Sequence, residues 1–105
     1  MSETIDIRTA LWRWQGGNGG QWFFLSIAGE QAEAIAGHAL MRRLESGRGR
    51  GFGSVKVQAR IGESRWRTSV FPMKDGAWLL PVKAAIRRAE GIGEGEEVTL
   101  VLTLD

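Results

Sequence analysis

The chain has 105 residues, 43% of them hydrophobic and 25% charged, which predicts a single globular domain over residues 1–105 and argues against disorder. It contains no cysteine, so disulfides, thiolate metal sites and a cysteine nucleophile are excluded. The formal charge of +2 does not by itself indicate a nucleic-acid partner. Because no leader-like segment and no long apolar run is found, we expect a cytoplasmic protein without membrane association.

The first half of the chain predicts two strands, a helix and a third strand. Strand-forming residues over 5–14 are followed by a glycine-rich turn at 15–20 and a return strand over 21–28. The almost continuous apolar character of the return strand predicts burial on both of its faces. Residues 30–44 predict a helix, and the regular alternation over 55–61 predicts a half-buried strand. The apolar face of the helix is predicted to comprise Ala34, Ile35, Ala39, Leu40 and Leu44.

The second half predicts the same succession of elements. Strands are expected over 65–71, 77–80 and 98–104, with an Asp-Gly turn between the first two. A short helix is expected over 82–89, and Pro81 is predicted to begin it because proline favours the first helical turn.

The order strand, strand, helix, strand therefore occurs twice, in halves of about 5–62 and 63–105. Gly20-Gln-Trp22 and Gly76-Ala-Trp78 begin corresponding strands of the two halves. The repeat predicts a mainly β fold, a six-stranded double-split β-barrel with pseudo-twofold symmetry, capped by two short helices. The alternative is a coincidental similarity between two generic units. Since one chain supplies both halves, we expect a monomer.

Three blocks of sequence resemble a bacterial family of unknown function, DUF1905. They are Gly53–Gly62, Trp66–Pro72 and Leu80–Gly91, and the resemblance extends from about Leu11 to Leu104. It implies a double-split β-barrel, a pseudobarrel class that also includes swapped-hairpin transcription factors of the AbrB and MazE kind. Since the family has no established activity, the resemblance implies a fold and leaves the function open.

The residues do not indicate an active site. His38 is the single histidine, and no serine has the context of an activated nucleophile. A metal site needs several convergent ligands, which the scattered acids and one histidine do not predict. Asp75 and Glu90 each neighbour a glycine, where turn or helix-end roles explain them. We therefore expect no catalytic residue, no metal and no cofactor; an enzyme using His38, Asp75 or Glu90 is a rival hypothesis.

Tryptophan is the most informative residue type. The chain has five tryptophans and no tyrosine, and all five fall on predicted strands. Tryptophan combines a large apolar area with an indole N–H that needs a partner. A cluster of them would suit a cleft for an aromatic or planar ligand. The alternative is that a small barrel needs bulky side chains to fill its core.

Basic residues are concentrated in the middle of the chain. Between Ala39 and Arg67 there are eight basic and two acidic residues. Arg48 and Arg50 lie in a glycine-rich loop, and further arginines lie on two neighbouring predicted strands. Arginine pairs bidentately with phosphate or carboxylate, so this region could contact an anionic partner. The alternative is an ordinary solvated surface.

We therefore predict a non-enzymatic binding module with a tryptophan- and arginine-lined cleft for a small anionic or aromatic ligand, or for a protein partner. The predicted ligand-binding residues are Trp14, Trp22, Arg60, Arg65, Trp66, Arg67 and Trp78. The alternative function is nucleic-acid binding through a basic loop and strand face. That alternative would use Arg48, Arg50, Arg60, Arg65 and Arg67.

Overall fold

The structure, a computed structural model, describes residues 3–16, 20–46 and 53–104. These residues form six strands and two helices. In chain order the elements are β1 (Glu3–Gln15), β2 (Gln21–Ile27), α1 (Gly29–Ser46), β3 (Val55–Ile61), β4 (Ser64–Pro72), β5 (Trp78–Pro81), α2 (Ala84–Glu90) and β6 (Glu97–Leu104). The predicted mainly β fold with two helices is confirmed. Neither helix combines the length and the apolar character needed to span a bilayer.

The six strands close into an antiparallel barrel in the order β1-β2-β5-β4-β3-β6. Closure pairs each of these strands on both sides, which protects a small β domain from edge-to-edge association. Strand β1 pairs with β6 over residues 3–10 and with β2 over 11–15. Strand β4 pairs with β3 over 64–70 and with β5 over 71–72. Strands β1 and β4 therefore each change partner along their length.

Alternate residues of every strand point into the barrel and form its core. The predicted alternation is confirmed in β3 and β6, where every second residue is buried except Val55, which is half-buried. The most deeply buried side chains include Leu11, Leu25, Leu80, Leu100 and Leu102. Each helix adds apolar side chains to this core, Ile35 from α1 and Ile86 from α2. The interior of the barrel is therefore filled by the packed side chains of the described residues.

Helix α1 buries a different face from the predicted one. Ile35 is fully buried and Ala39 partly so, as expected, but Leu40 and Leu44 are exposed. The buried residues lie in the first part of the helix, whereas residues 40–45 are all exposed. An 18-residue helix is about 27 Å long, and only its first turns pack on the barrel. Helical periodicity predicted the apolar stripe without predicting how far the barrel covers it.

Strand β2 is buried on one face only, contrary to the prediction. Leu25 and Ile27 are fully buried, whereas Trp22 is exposed and Phe24 is half-buried. The continuous apolar run supplies the core on one side and an outer surface on the other. Local sequence cannot separate these two uses, because both require apolar residues.

Pro81 ends β5, and the prediction that it begins the second helix is wrong. The N–H of Val82 donates to the carbonyl oxygen of Phe23 at 2.9 Å, which continues the contact between the two strands. Lys83 is extended, and the helix begins at Ala84. Pairing with a neighbouring strand therefore overrides the preference of proline for a first helical turn.

Candidate binding groove on the outer wall

The outer wall of the barrel carries an apolar groove where β1, β2 and β5 meet the end of β4. Its volume is about 610 Å³, within the range of small-molecule sites. The lining residues are Trp12, Trp14, Trp22, Phe24, Phe71, Met73, Leu79 and Pro81. We call this set the aromatic groove.

The register of the strands assembles the aromatic groove. Trp14 lies opposite Trp22, and Trp12 lies opposite Phe24, in the β1–β2 pair. Residues directly opposite in an antiparallel pair project from the same face, so these four rings share the outer surface. The surface continues across the barrel wall, because Phe24 lies opposite Pro81 in β5.

Strand β4 completes the groove from the other side. Phe71 lies opposite Leu79, which itself lies opposite Ser26 of β2. Met73 follows β4 and is held by the β4–β5 turn, where its N–H donates to the carbonyl oxygen of Ala77 at 2.8 Å. Residues far apart in the chain therefore meet on one surface.

Trp12 is a fixed part of the groove. Its indole Nε1–H donates to the Ser26 hydroxyl oxygen at 2.8 Å, so the polar atom of the ring is satisfied. The ring centroid lies 5.2 Å from that of Phe24, with the planes tilted by 37°. This spacing is typical of a favourable aromatic pair. The groove thus has a preorganised apolar wall.

Four other groove residues are open to solvent. Trp14 is 50% exposed, Trp22 55%, Phe71 46% and Met73 45%. Single exposed apolar residues are ordinary, but a contiguous group of large ones on a folded surface is typical of an interaction site. The exposed rings offer stacking faces that the fixed Trp12–Phe24 pair does not use.

Trp66 and Trp78 do not belong to this groove. They are only 8% and 6% exposed and point into the barrel. Trp66 lies opposite buried Ala59, and Trp78 lies opposite buried Ile27. The single cleft predicted to join them with Trp14 and Trp22 does not form, because the strand register sends these two rings inward. They fill the core, as the alternative interpretation proposed.

The predicted arginines lie on a neighbouring outer surface and do not line the groove. Arg60 lies opposite Arg65, and Gln58 lies opposite Arg67, in the β3–β4 pair. All three arginines are exposed, and Arg60 donates from Nη1 to the carbonyl oxygen of Gly62 at 3.1 Å. Lys56 projects from the same side of β3. We call Lys56, Arg60, Arg65 and Arg67 the basic strand face. Arg48 and Arg50 lie outside the described residues.

Sequence reasoning missed most of the groove. It did not single out Trp12, Phe24, Phe71, Met73, Leu79 or Pro81 as site residues. A usable signal was present, because Phe71 and Leu79 are apolar at positions that alternate with core residues. Such positions normally carry polar residues when they face water.

The three residues of the rival enzyme hypothesis lie on different elements. His38 is half-buried in the middle of α1. Asp75 accepts the N–H of Ala77 at 3.0 Å within the β4–β5 turn. Glu90, at the end of α2, accepts the Ser64 hydroxyl at 2.5 Å. Over the parts of the chain that the structure describes, no group of three or more acidic or histidine side chains is arranged to hold a metal ion.

A family model for the domain of unknown function DUF1905 matches residues 8–102, from β1 to β6. The chain belongs to the DUF1905 family. This confirms the family resemblance seen in the sequence. A comparison with curated proteins found no match. The matched range of the DUF1905 domain includes every residue of the aromatic groove and of the basic strand face.

Proposed function

We propose that this DUF1905 domain is a non-enzymatic binding module and that the aromatic groove is its binding site. The main support is the exposed cross-strand pair of Trp14 and Trp22 at the edge of an apolar groove of about 610 Å³. Full burial of a large apolar side chain contributes about 1.5–3 kcal/mol, and Trp14 and Trp22, which are about half exposed, retain part of that contribution for an occupant. An occupant that covers these rings therefore gains affinity from surface that the free domain leaves hydrated.

The chemistry of the groove favours a planar aromatic group as occupant. Its lining offers ring faces and apolar edges, and the indole N–H of Trp12 is already used by Ser26. Aromatic rings gain about 0.5–1.5 kcal/mol from offset or tilted stacking beyond their buried area. Recognition of such a group would thus depend on stacking and shape.

The hydrogen bonds of the acidic candidates support a non-enzymatic role. Glu90 joins the end of α2 to Ser64 at the start of β4, and Asp75 orders the β4–β5 turn. Both contacts are of the kind that stabilise a fold. Neither residue is part of the aromatic groove.

Tryptophan fluorescence tests the groove. Exposed indoles emit at longer wavelength than buried ones, so Trp14 and Trp22 contribute the red part of the spectrum. We expect planar aromatic anions such as anilinonaphthalene sulfonate, and neutral aromatics, to change this red part and to lose affinity in Trp14→Ala. Leu44→Ala, which changes an exposed apolar residue of α1, is the control and should bind normally. Equal binding to both variants would refute the groove as the site.

We further infer that the barrel is double-split with pseudo-twofold symmetry and that the domain is monomeric. Exchanging β1, β2, β3 with β4, β5, β6 leaves the cyclic strand order unchanged, which supports a duplication. The two halves would be about 5–62 and 63–105. Sedimentation equilibrium tests the monomer, and a concentration-dependent mass would contradict it.

A further inference from the structure

The aromatic groove and the basic strand face are joined along β4. The outward residues of this strand are, in order, Arg65, Arg67, Ser69 and Phe71, and Phe71 lines the groove. At about 3.3 Å per residue, Arg67 lies about 13 Å from Phe71 and Arg65 about 20 Å from it. A ligand that contacts both surfaces must therefore be extended.

The charge of the basic strand face is of one sign. The outward residues of β3 and β4 include Lys56, Arg60, Arg65 and Arg67 and no acidic residue. In the adjoining strand β6, the residues opposite Arg60 and Gln58 are Val101 and Thr103, which are uncharged. Arg60 and Arg65 lie directly opposite each other, and like charges in such a pair repel. An anionic partner that contacts both side chains would reduce this repulsion.

We propose that the aromatic groove and the basic strand face form one binding surface for single-stranded nucleic acid. Bases would stack on Trp14, Trp22 and Phe71, and phosphates would contact the arginines of the basic strand face. Stacking platforms beside a positively charged track are the means by which proteins bind single strands without sequence preference. The inference depends on the proposed function, because it assigns the occupant of the same groove.

Two other occupants fit less well. A small aromatic anion cannot bridge the distance of about 13 Å between Arg67 and the groove. A duplex offers its base edges but keeps its ring faces stacked, so it would contact the arginines and leave the tryptophans uncovered. A single strand supplies both free ring faces and regularly spaced negative charges.

The test is a titration of the whole domain with an oligothymidylate of about ten nucleotides, within the site sizes of single-strand binders. Thymidine monophosphate and a duplex of the same length are titrated in parallel, with tryptophan fluorescence as the readout. We expect the single strand to quench the red emission and to bind more tightly than either comparison. With about three phosphate contacts, a plot of the logarithm of affinity against the logarithm of salt concentration should have a slope near −2.

Two classes of variant separate stacking from charge. Trp14→Ala and Trp22→Ala should each lower affinity about 5- to 150-fold and leave the salt slope unchanged. Arg60→Gln and Arg65→Gln should each reduce the magnitude of the slope by about 0.7. Arg88→Gln and Leu44→Ala, exposed residues of α2 and α1, are the matched controls and should change neither quantity. An unchanged circular dichroism spectrum and Tm verify that each variant is folded.

The possible outcomes distinguish this inference from the proposed function. If aromatic probes bind the groove but the oligonucleotide binds no more tightly than the monophosphate, the groove stands and the nucleic-acid inference is overturned. The inference is also overturned if the duplex binds as tightly as the single strand and Trp14→Ala does not change the affinity for the single strand. If Trp14→Ala changes the affinity for neither the aromatic probes nor the oligonucleotide, the proposed function fails as well.

Discussion

At the scale of single residues, the position of each tryptophan in its strand decides its role. Trp66 and Trp78 occupy strand positions that point into the barrel and are buried, whereas Trp14 and Trp22 occupy positions that point outward and are exposed. Successive side chains of a strand point to opposite faces, so a shift of one residue exchanges core for surface. The same residue type therefore supplies both stability and a candidate binding surface.

Truncation of the two classes should affect stability very differently. We expect Trp78→Ala to lower the free energy of unfolding by about 3–5 kcal/mol, because it leaves a cavity in the packed barrel. Trp14→Ala should cost less than about 1 kcal/mol, since half of its side chain already meets water. Urea unfolding followed by circular dichroism measures both values. Similar losses for the two variants would contradict the assignment of Trp78 to the core and Trp14 to the surface.

A second prediction concerns the contact between Gly62 and Glu90. Gly62 has a φ of +58°, and a Cβ atom there would clash with the Glu90 carboxylate that also accepts the Ser64 hydroxyl. We expect Gly62→Ala to destabilise the fold by more than the roughly 1–2 kcal/mol that a left-handed backbone costs an alanine.

Gly91 provides the matched control for this substitution. Its φ of +64° lies in the same left-handed region as that of Gly62, but nothing lies within 4 Å of the position that a Cβ atom would take, so Gly91→Ala reports the backbone cost alone. The difference between the two variants in urea unfolding measures the clash, and Glu90→Ala in the Gly62→Ala background should remove that difference. Equal losses for Gly62→Ala and Gly91→Ala would show that the contact with Glu90 is unimportant.

At the scale of elements, strand β4 determines where the two candidate surfaces meet. Its first seven residues pair with β3 and carry outward arginines, and Phe71 and Pro72 pair with β5. The outward arginines before this change of partner belong to the basic strand face, and Phe71 after it belongs to the aromatic groove. One short strand thereby connects a charged surface with an apolar one.

Helix α1 leads to a prediction at the same scale. Ile35 is fully buried, so Ile35→Ala should cost about 2–5 kcal/mol of stability. Leu44 is 67% exposed, and Leu44→Ala should change stability by about 0.5 kcal/mol or less. Thermal unfolding of the two variants compares them directly. A large loss of stability in Leu44→Ala would mean that the last turns of the helix are buried by other parts of the protein or by a second copy in solution.

For the whole molecule, closure of the barrel depends on the most distant parts of the chain. Residues 3–10 of β1 pair with β6, and Arg8 donates to Glu97 across a separation of 89 residues at 2.8 Å. The chain must therefore lose the entropy of closing a long loop before this pairing stabilises it.

We accordingly expect slow folding for a domain of this size. Non-local antiparallel pairing predicts refolding in about milliseconds to seconds rather than microseconds. Stopped-flow tryptophan fluorescence after dilution from urea measures the rate, with Trp66 and Trp78 reporting core formation. Complete refolding within the dead time of mixing would contradict the prediction.

Much of the fold follows from local patterns in the sequence. The alternation over 55–61 and 98–104 predicted β3 and β6 to within one residue, because period-two burial is a property of each strand by itself. The glycine-rich turn and the Asp-Gly turn predicted the breaks between paired strands. The number of strands could be inferred in the same way, whereas the family was identified from the resemblance of three blocks of sequence.

The candidate site was predicted only in part. Trp14 and Trp22 were identified because tryptophan is rare and noticeable, and the arginines because they cluster in sequence. Phe71 and Leu79 were missed, and Trp66 and Trp78, which were predicted to bind a ligand, are buried in the core. Which rings meet depends on the register between strands that are distant in the chain.

The sequence by itself determined the elements, their order and the residue types available for binding, since these depend on local periodicity and composition. The tertiary structure decided which apolar residues became core and which became the outer groove, and how the basic strand face joins that groove along β4. The physical reason is that inside and outside are defined by closure of the barrel. No single strand contains that information.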